Sequence, residues 1–190
     1  MGFHTFDAEK AEQLERPGVR YRWVSAEEIL GALTAERDDR AAAVVADLGS
    51  GTGFYTDDVA AHVERVHGVD VQAEMHAFYR EKGVPENVDL VESDVATLPF
   101  DDGELDAAFS TMTYHEFASD DAVAELARVI RSGGRLAVFD WSAAGDGDHG
   151  PPADERFAAS DAVEALEAAR FEVLSASERT ETFAVVARAP

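Results

Sequence analysis

Cysteine is absent from the 190 residues, which removes disulfide staples, thiolate metal sites and cysteine nucleophiles together. Lysine is almost absent: Lys10 and Lys82 are the only two, and arginine supplies the rest of the sixteen basic residues. No run approaches the eighteen apolar residues of a membrane span. The opening Met1 to Gln13 is polar and acidic rather than a basic stretch leading into an apolar one. The expectation is a soluble, cytoplasmic protein with no membrane partner. What is abundant is negative charge, 39 Asp and Glu for a formal charge of -23. Such repulsion raises the alternative of intrinsic disorder. The 46% hydrophobic content and apolar runs such as Val44 to Leu48 and Leu136 to Phe139 argue instead for one compact domain with the charge on its surface.

An acidic surface with so little lysine resembles the proteins of salt-loving archaea. At molar salt the Debye length falls to about 3 Å, so crowded carboxylates are screened. The fold is therefore expected to loosen in dilute buffer. Nucleic acid is a disfavoured partner for such a surface.

Along the chain, residues 1–40 read as a helical extension and 41–190 as the main domain. In the extension, Ala26 to Leu33 is predicted helical with Ser25 as its N-cap, and Phe3, His4 and Phe6 are candidates for a lid or a frayed terminus. From Val44, apolar runs alternate with amphipathic stretches. Strands are expected at Val44 to Leu48, Val66 to Val69, Val88 to Val91, Leu105 to Phe109 and Leu136 to Phe139. Helices are expected near 54–65, 73–82 and 122–130, with a turn at Gly133 and Gly134. That rhythm implies parallel pairing. Ser142 to Ala153, rich in Gly, Asp and Pro, reads as a long loop. A helix near 161–169 follows, then runs at Phe171 to Ala176 and Thr182 to Ala187, too close together for a parallel crossover. The sheet should end in an antiparallel pair.

The stretch Asp47, Leu48, Gly49, Ser50, Gly51, Thr52, Gly53 joins a predicted strand to a predicted helix, where glycines let backbone approach a ligand. Its spacing, GxGxG, misses the dinucleotide fingerprint GxGxxG by one, and no Walker lysine is present. Asp70 closes the second strand about twenty residues on, where a carboxylate can accept both hydroxyls of a ribose. The pair asks for a nucleoside without a diphosphate.

From about Val44 to Arg188 the sequence resembles the class I S-adenosylmethionine-dependent methyltransferases, in particular the small-molecule branch called methyltransferase type 11 or UbiE-like. The resemblance implies an α/β, Rossmann-like, doubly wound seven-stranded sheet of order 3-2-1-4-5-7-6, with strand 7 antiparallel and helices on both faces. It implies S-adenosyl-L-methionine as cofactor, held by Asp47, Gly49, Ser50, Gly51, Gly53, Asp70, Val71, Asp94, Val95 and Ser110. Gly49 and Gly51 would pass near the methionyl portion and Asp47 near its amino group. Asp70 would take the ribose, and Val71, Asp94 and Val95 the adenine. Alternatives remain beside some of these: Val71 as core, and Asp94 as a cap.

Ligands of open α/β sheets lie beyond the carboxyl ends of the strands. The fourth strand delivers Thr111, Thr113, Tyr114, His115 and Glu116 there, and the fifth Asp140 and Trp141. Methyl transfer is an in-line displacement, so a base is needed only when the nucleophile carries a proton. His115 is the candidate base, with Glu116 to orient it or contact substrate, set against a purely structural histidine. No metal is expected: an HExxH helix would need His at Ser119. The loop through Asp148, His149, Gly150, Pro151 and Pro152 either covers the substrate or is acidic padding. The leading expectation is methyl transfer to a small molecule. Competing readings are a non-catalytic nucleoside-binding sensor or scaffold and a nicotinamide-dependent oxidoreductase.

Overall fold

A computed structural model describes residues 10–34 and 43–190. Phe3, His4 and Phe6 lie outside the described residues. Seven strands form one sheet: β1 (Val44–Leu48), β2 (Arg65–Asp70), β3 (Val88–Glu92), β4 (Leu105–Thr111), β5 (Ile130–Trp141), β6 (Glu172–Glu178) and β7 (Thr182–Arg188). Their order is β3-β2-β1-β4-β5-β7-β6. The first five pair in parallel, while β7 runs antiparallel to both β5 and β6. This is the doubly wound, seven-stranded architecture expected from the sequence.

The extension holds α1 (Ala11–Leu14), α2 (Pro17–Arg20) and α3 (Ala26–Thr34); the domain adds α4 (Phe54–Ala60), α5 (Ala73–Lys82), α6 (Tyr114–Phe117), α7 (Asp120–Val129) and α8 (Ala159–Ala168). Helices cover both faces. Ile29, Leu33, Tyr55, Val59 and Tyr79 pack with Val45, Val66 and Phe109 on one. Val123, Leu126, Ala162 and Leu166 pack with Leu48, Leu136 and Val185 on the other. Coverage on both sides is why the central strands read as continuous apolar runs. Local signals set the helix ends. The Ser25 hydroxyl accepts from Glu28 N–H and Glu28 Oε2 accepts from Ser25 N–H, a reciprocal cap at the start of α3. Ser119 Oγ accepts from Ala122 N–H at the start of α7, whose first turn carries Asp120 and Asp121 and whose last carries Arg128.

Two local expectations are corrected. The stretch 54–65 is helical only to Ala60, because Arg65 already pairs with Val44 in β2. Gly133 and Gly134 do not separate a helix from a strand; they form a bulge inside the twelve-residue β5, where pairing jumps from Leu105–Ile130 to Ala107–Arg135. Gly133 takes φ +78, and a Cβ on Gly134 would lie 2.7 Å from the Asp106 carbonyl oxygen.

Candidate functional site

The β1–α4 loop folds back on the end of β2. The N–H groups of Gly49 and Ser50 both donate to the Val69 carbonyl, and Gly53 N–H donates to Ser50 O. Asp70 ties the two strand ends together: its Oδ2 accepts from Gly51 N–H and its Oδ1 from Gln72 N–H, each at 2.8 Å. Burial raises the Asp70 pKa and those backbone donors lower it, with burial the larger effect. Gly49, Gly51 and Gly53 all have positive φ. A Cβ on Gly49 would fall 2.2 Å from Thr113 Cγ2, and one on Gly53 2.1 Å from the Tyr79 ring. Gly51 differs, since a Cβ there would meet only Leu14, at 3.8 Å.

A cleft of about 1050 Å³ opens over this loop and the carboxyl ends of β1, β2 and β4. Gly49, Ser50, Gly51, Asp70, Val71, Asp94 and Val95 line it. Val71 is 50% exposed, so it is a rim residue and not core. Asp94 does cap a turn, its Oδ1 accepting from Ala96 N–H, while still facing the cleft. Asp47, Gly53 and Ser110 are not on the lining. Asp47 lies behind the loop, where Thr56 Oγ1 donates to its Oδ2 at 2.6 Å and its Oδ1 is buried without a partner. Burial pushes its carboxyl up to about 7, against the opposing pull of Thr56 and Arg20. The hydroxyls of Ser50 and Ser110 are also buried without hydrogen-bond partners.

At the other end of the cleft, β4 turns into α6 through Met112, a non-glycine residue at φ +61 whose N–H donates to Phe139 O. This turn presents His115 and Glu116 to the cleft. The Asp140 carboxylate, fully buried at the end of β5, accepts from His115 N–H at 2.6 Å and from Trp141 N–H at 2.7 Å. It also lies 2.9 Å from His115 Nδ1. In the tautomer that donates from Nδ1 to this carboxylate, Nε2 is the acceptor nitrogen. Nε2 sits 3.9 Å from Glu116 Oε1. For His115, burial lowers the pKa, but Asp140, Glu116 and Glu155 outweigh it and the net direction is up. Burial raises the Glu116 carboxyl to about 7. A histidine shifted up and a carboxyl shifted up by burial thus share the wall of one cleft.

Of what covers the site, the sequence reading offered the 142–153 loop as one alternative and missed the part played by residues 15–24. The described part of the extension is anchored over the cleft. Tyr55 Oη donates to the carbonyls of Arg20 and Val24, Tyr21 Oη to Asp58, and Lys82 bridges Glu15 and Asp57. Its Trp23 meets Trp141 and His149 at ring distances of 5.2 and 5.3 Å. The 142–153 loop is not loose padding. Arg156 is buried beneath it and donates to the carbonyls of His149 and Pro151, and its guanidinium lies 5.7 Å from the Trp141 ring. His149, Gly150, Pro151 and Pro152 line the cleft as a result. No group of three or more metal-ligating side chains occurs among the described residues.

Residues 46–138 match the family described as a methyltransferase domain. A solved methyltransferase from Aquifex aeolicus, titled S-adenosylmethionine dependent, superposes with a TM-score of 0.83 at 28% identity, covering 96% of this chain and 98% of that one. The chain has the fold of the class I methyltransferases. A demethylmenaquinone methyltransferase of Corynebacterium kroppenstedtii is 36% identical over 99 residues, 52% of this chain and 42% of that protein. A methyltransferase-like protein of Schizosaccharomyces pombe is 32% identical over 104 residues, 54% of this chain and 40% of that protein. The matched part of the chain thus spans less than half the length of these two relatives.

Proposed function

We propose that the domain binds S-adenosylmethionine and transfers its methyl group to a small molecule whose nucleophilic atom carries a proton. The observation that carries this reading is the joining of two sites in one cleft, a nucleoside-shaped loop with Asp70 and a buried Asp140–His115 pair. The residues present fit the cofactor. An unpartnered Ser50 hydroxyl, an unobstructed Gly51 and a half-exposed Val71, all on the lining, are features that a bound nucleoside would complete.

Asp70 would hold the ribose hydroxyls, since a carboxylate has about four acceptor positions and two are used by backbone. Val71 would pack on the base, and Asp94 with Val95 would meet its edge. The cofactor supplies a methyl carbon already activated by a sulfonium. The chain's contribution is to exclude water, align the acceptor and receive its proton. Nε2 of His115 receives it, Asp140 keeps the proton on Nδ1 and stabilises the imidazolium, and Glu116 contacts the acceptor. The covering Trp23, Trp141 and His149 favour an acceptor of metabolite size.

Calorimetry with S-adenosylhomocysteine and NAD, followed by turnover on a panel of phenols, amines and thiols, tests the reading. Binding of S-adenosylhomocysteine with turnover supports it. Preference for NAD points to an oxidoreductase, and binding with no turnover on any acceptor to a sensor. The acidic surface reads as an adaptation to salt: the melting temperature should rise between dilute buffer and molar KCl, and an unchanged melt contradicts that.

A further inference from the structure

The His115 end of the cleft holds two polar groups that nothing in the chain completes. The His115 side chain is 8% exposed, and its Nε2, the ring nitrogen that Asp140 does not hold, has no hydrogen-bond partner among the described residues. The Glu116 side chain, 18% exposed on the same wall, accepts no hydrogen bond among them either. A largely desolvated carboxyl with no donor to accept from is costly in its charged form, and burial raises it to about 7.

The charges around this pair have one sign. Glu155 also lines the cleft, near enough for its charge to raise the His115 pKa. Asp140 lies buried behind, engaged by two N–H groups and by Nδ1. The lysine and arginine of the lining belong to the other end. Arg20 lies over the Tyr55 ring at 4.7 Å, on the helix that follows the glycine loop, and Lys10 precedes α1, whose Leu14 faces Gly51. Arg156 is buried beneath the 142–153 loop, off the lining, with Glu181 at 3.7 Å. The remaining titratable group on this wall, His149, sits 5.3 Å from the Trp23 ring.

His115 Nε2 and Glu116 Oε1 are 3.9 Å apart, close enough for one nitrogen to give a separate N–H to each at ordinary hydrogen-bond length. A primary ammonium brings three donors and a positive charge. An alcohol, phenol or thiol brings one donor and no charge, and a carboxylate or phosphate meets Glu116 and Glu155 with like charge. We infer that the methyl acceptor is a small primary or secondary amine, bound as its ammonium between Glu116 and His115 with Glu155 beside it. This rests on the reading of the cleft as a methyltransferase site and names the substrate class for it. One N–H proton passes to His115 Nε2 before transfer. The freed lone pair forms the N–C bond to the methyl carbon as the C–S bond breaks, with its electron pair left on sulfur in S-adenosylhomocysteine. The product is again an ammonium facing Glu116, and the proton on His115 leaves to solvent.

The test uses the full chain at pH 8, where alkylamines are charged. The probes are n-butylamine, 2-phenylethylamine and tryptamine, each against the alcohol, thiol and carboxylate of the same skeleton. Calorimetry on the chain saturated with S-adenosylhomocysteine reads binding, and mass spectrometry with S-adenosylmethionine reads transfer. At least one amine should bind about 10- to 100-fold tighter than its alcohol and carboxylate, the range of a charge-assisted hydrogen bond, and gain a methyl on nitrogen. Glu116→Gln should cut that preference to within about threefold and leave the alcohol within about twofold; Glu155→Gln should cost less. A wild-type chain that prefers no amine over its alcohol, or methylates an alcohol, thiol or carboxylate and no amine, overturns the inference, and this needs no variant to fold. So does a Glu116→Gln chain that keeps the full preference. A wild-type chain that binds no S-adenosylhomocysteine overturns the cofactor reading itself, and that result is in hand before any acceptor is added.

Discussion

The two ends of the cleft are built differently. At the glycine-loop end the shape is made by backbone: three glycines at positive φ, two N–H groups on the Val69 carbonyl, and Asp70 stitched to Gly51 and Gln72. At the His115 end it is made by side chains drawn from distant parts of the chain: His115 and Glu116 from α6, Asp140 from β5, Trp23 from the extension and His149 from the 142–153 loop. Backbone construction suits a ligand common to many proteins, while side-chain construction leaves room to change the acceptor. Thr113 joins the two, its methyl filling the space where Gly49 lacks a Cβ.

The largest effect expected from separating them is catalytic. Asp140→Asn should lower kcat by about 10²- to 10⁴-fold, because the proton on Nδ1 is no longer fixed by a buried charge. Affinity for S-adenosylhomocysteine should stay within about twofold. A parallel loss of affinity would mean that the two ends are one unit. Next comes the loop backbone. Gly53→Ala puts a Cβ into the Tyr79 ring at φ +79, and should cost about 2–5 kcal/mol of stability from strain and overlap. Gly51→Ala, with open space around it, should cost about 1 kcal/mol. Denaturant unfolding that ranks the two the other way would contradict this geometry.

A further effect, confined to one side of neutrality, is one of pH. Glu116 has a folded pKa of about 7 because burial disfavours its charge. Its contribution to stability is therefore full below the unfolded carboxyl range and is lost as pH rises through 7. Glu116→Gln removes that loss, so the variant should exceed wild type by about 2–3 kcal/mol at pH 8 and match it near pH 4. Thermal melts at the two pH values check the sign. Turnover, in contrast, should rise with pH through the raised pKa of His115, since only its neutral form accepts a proton.

The contrast also explains what the sequence made legible. The β-α rhythm, the glycine loop and Asp70 could be read directly, because each is set by residues within about twenty positions, and the resemblance of residues 44–188 supplied the strand order. The Asp140–His115 pair spans 25 residues and two strand ends, and nothing local in either segment marks it. Arg20 and Trp23 were missed because α1 and α2 are four residues each, too short for a periodic signal. For the 142–153 loop the choice between cover and padding stayed open in the sequence, since what holds it is a single buried arginine beyond its end. Gly133 and Gly134 read as a turn and form a bulge instead, because both ask for glycine, at Gly133 for its positive φ and at Gly134 for the room beside Asp106 O.

The central claim is that one cleft holds a nucleoside through Asp70 and performs chemistry through His115. Calorimetry of S-adenosylhomocysteine with Asp70→Ala and His115→Ala, on protein shown to be folded, tests it most directly. Affinity should fall about 10- to 100-fold in the first variant and stay within about twofold in the second. Unchanged affinity in Asp70→Ala, or an equal loss in both, would contradict it.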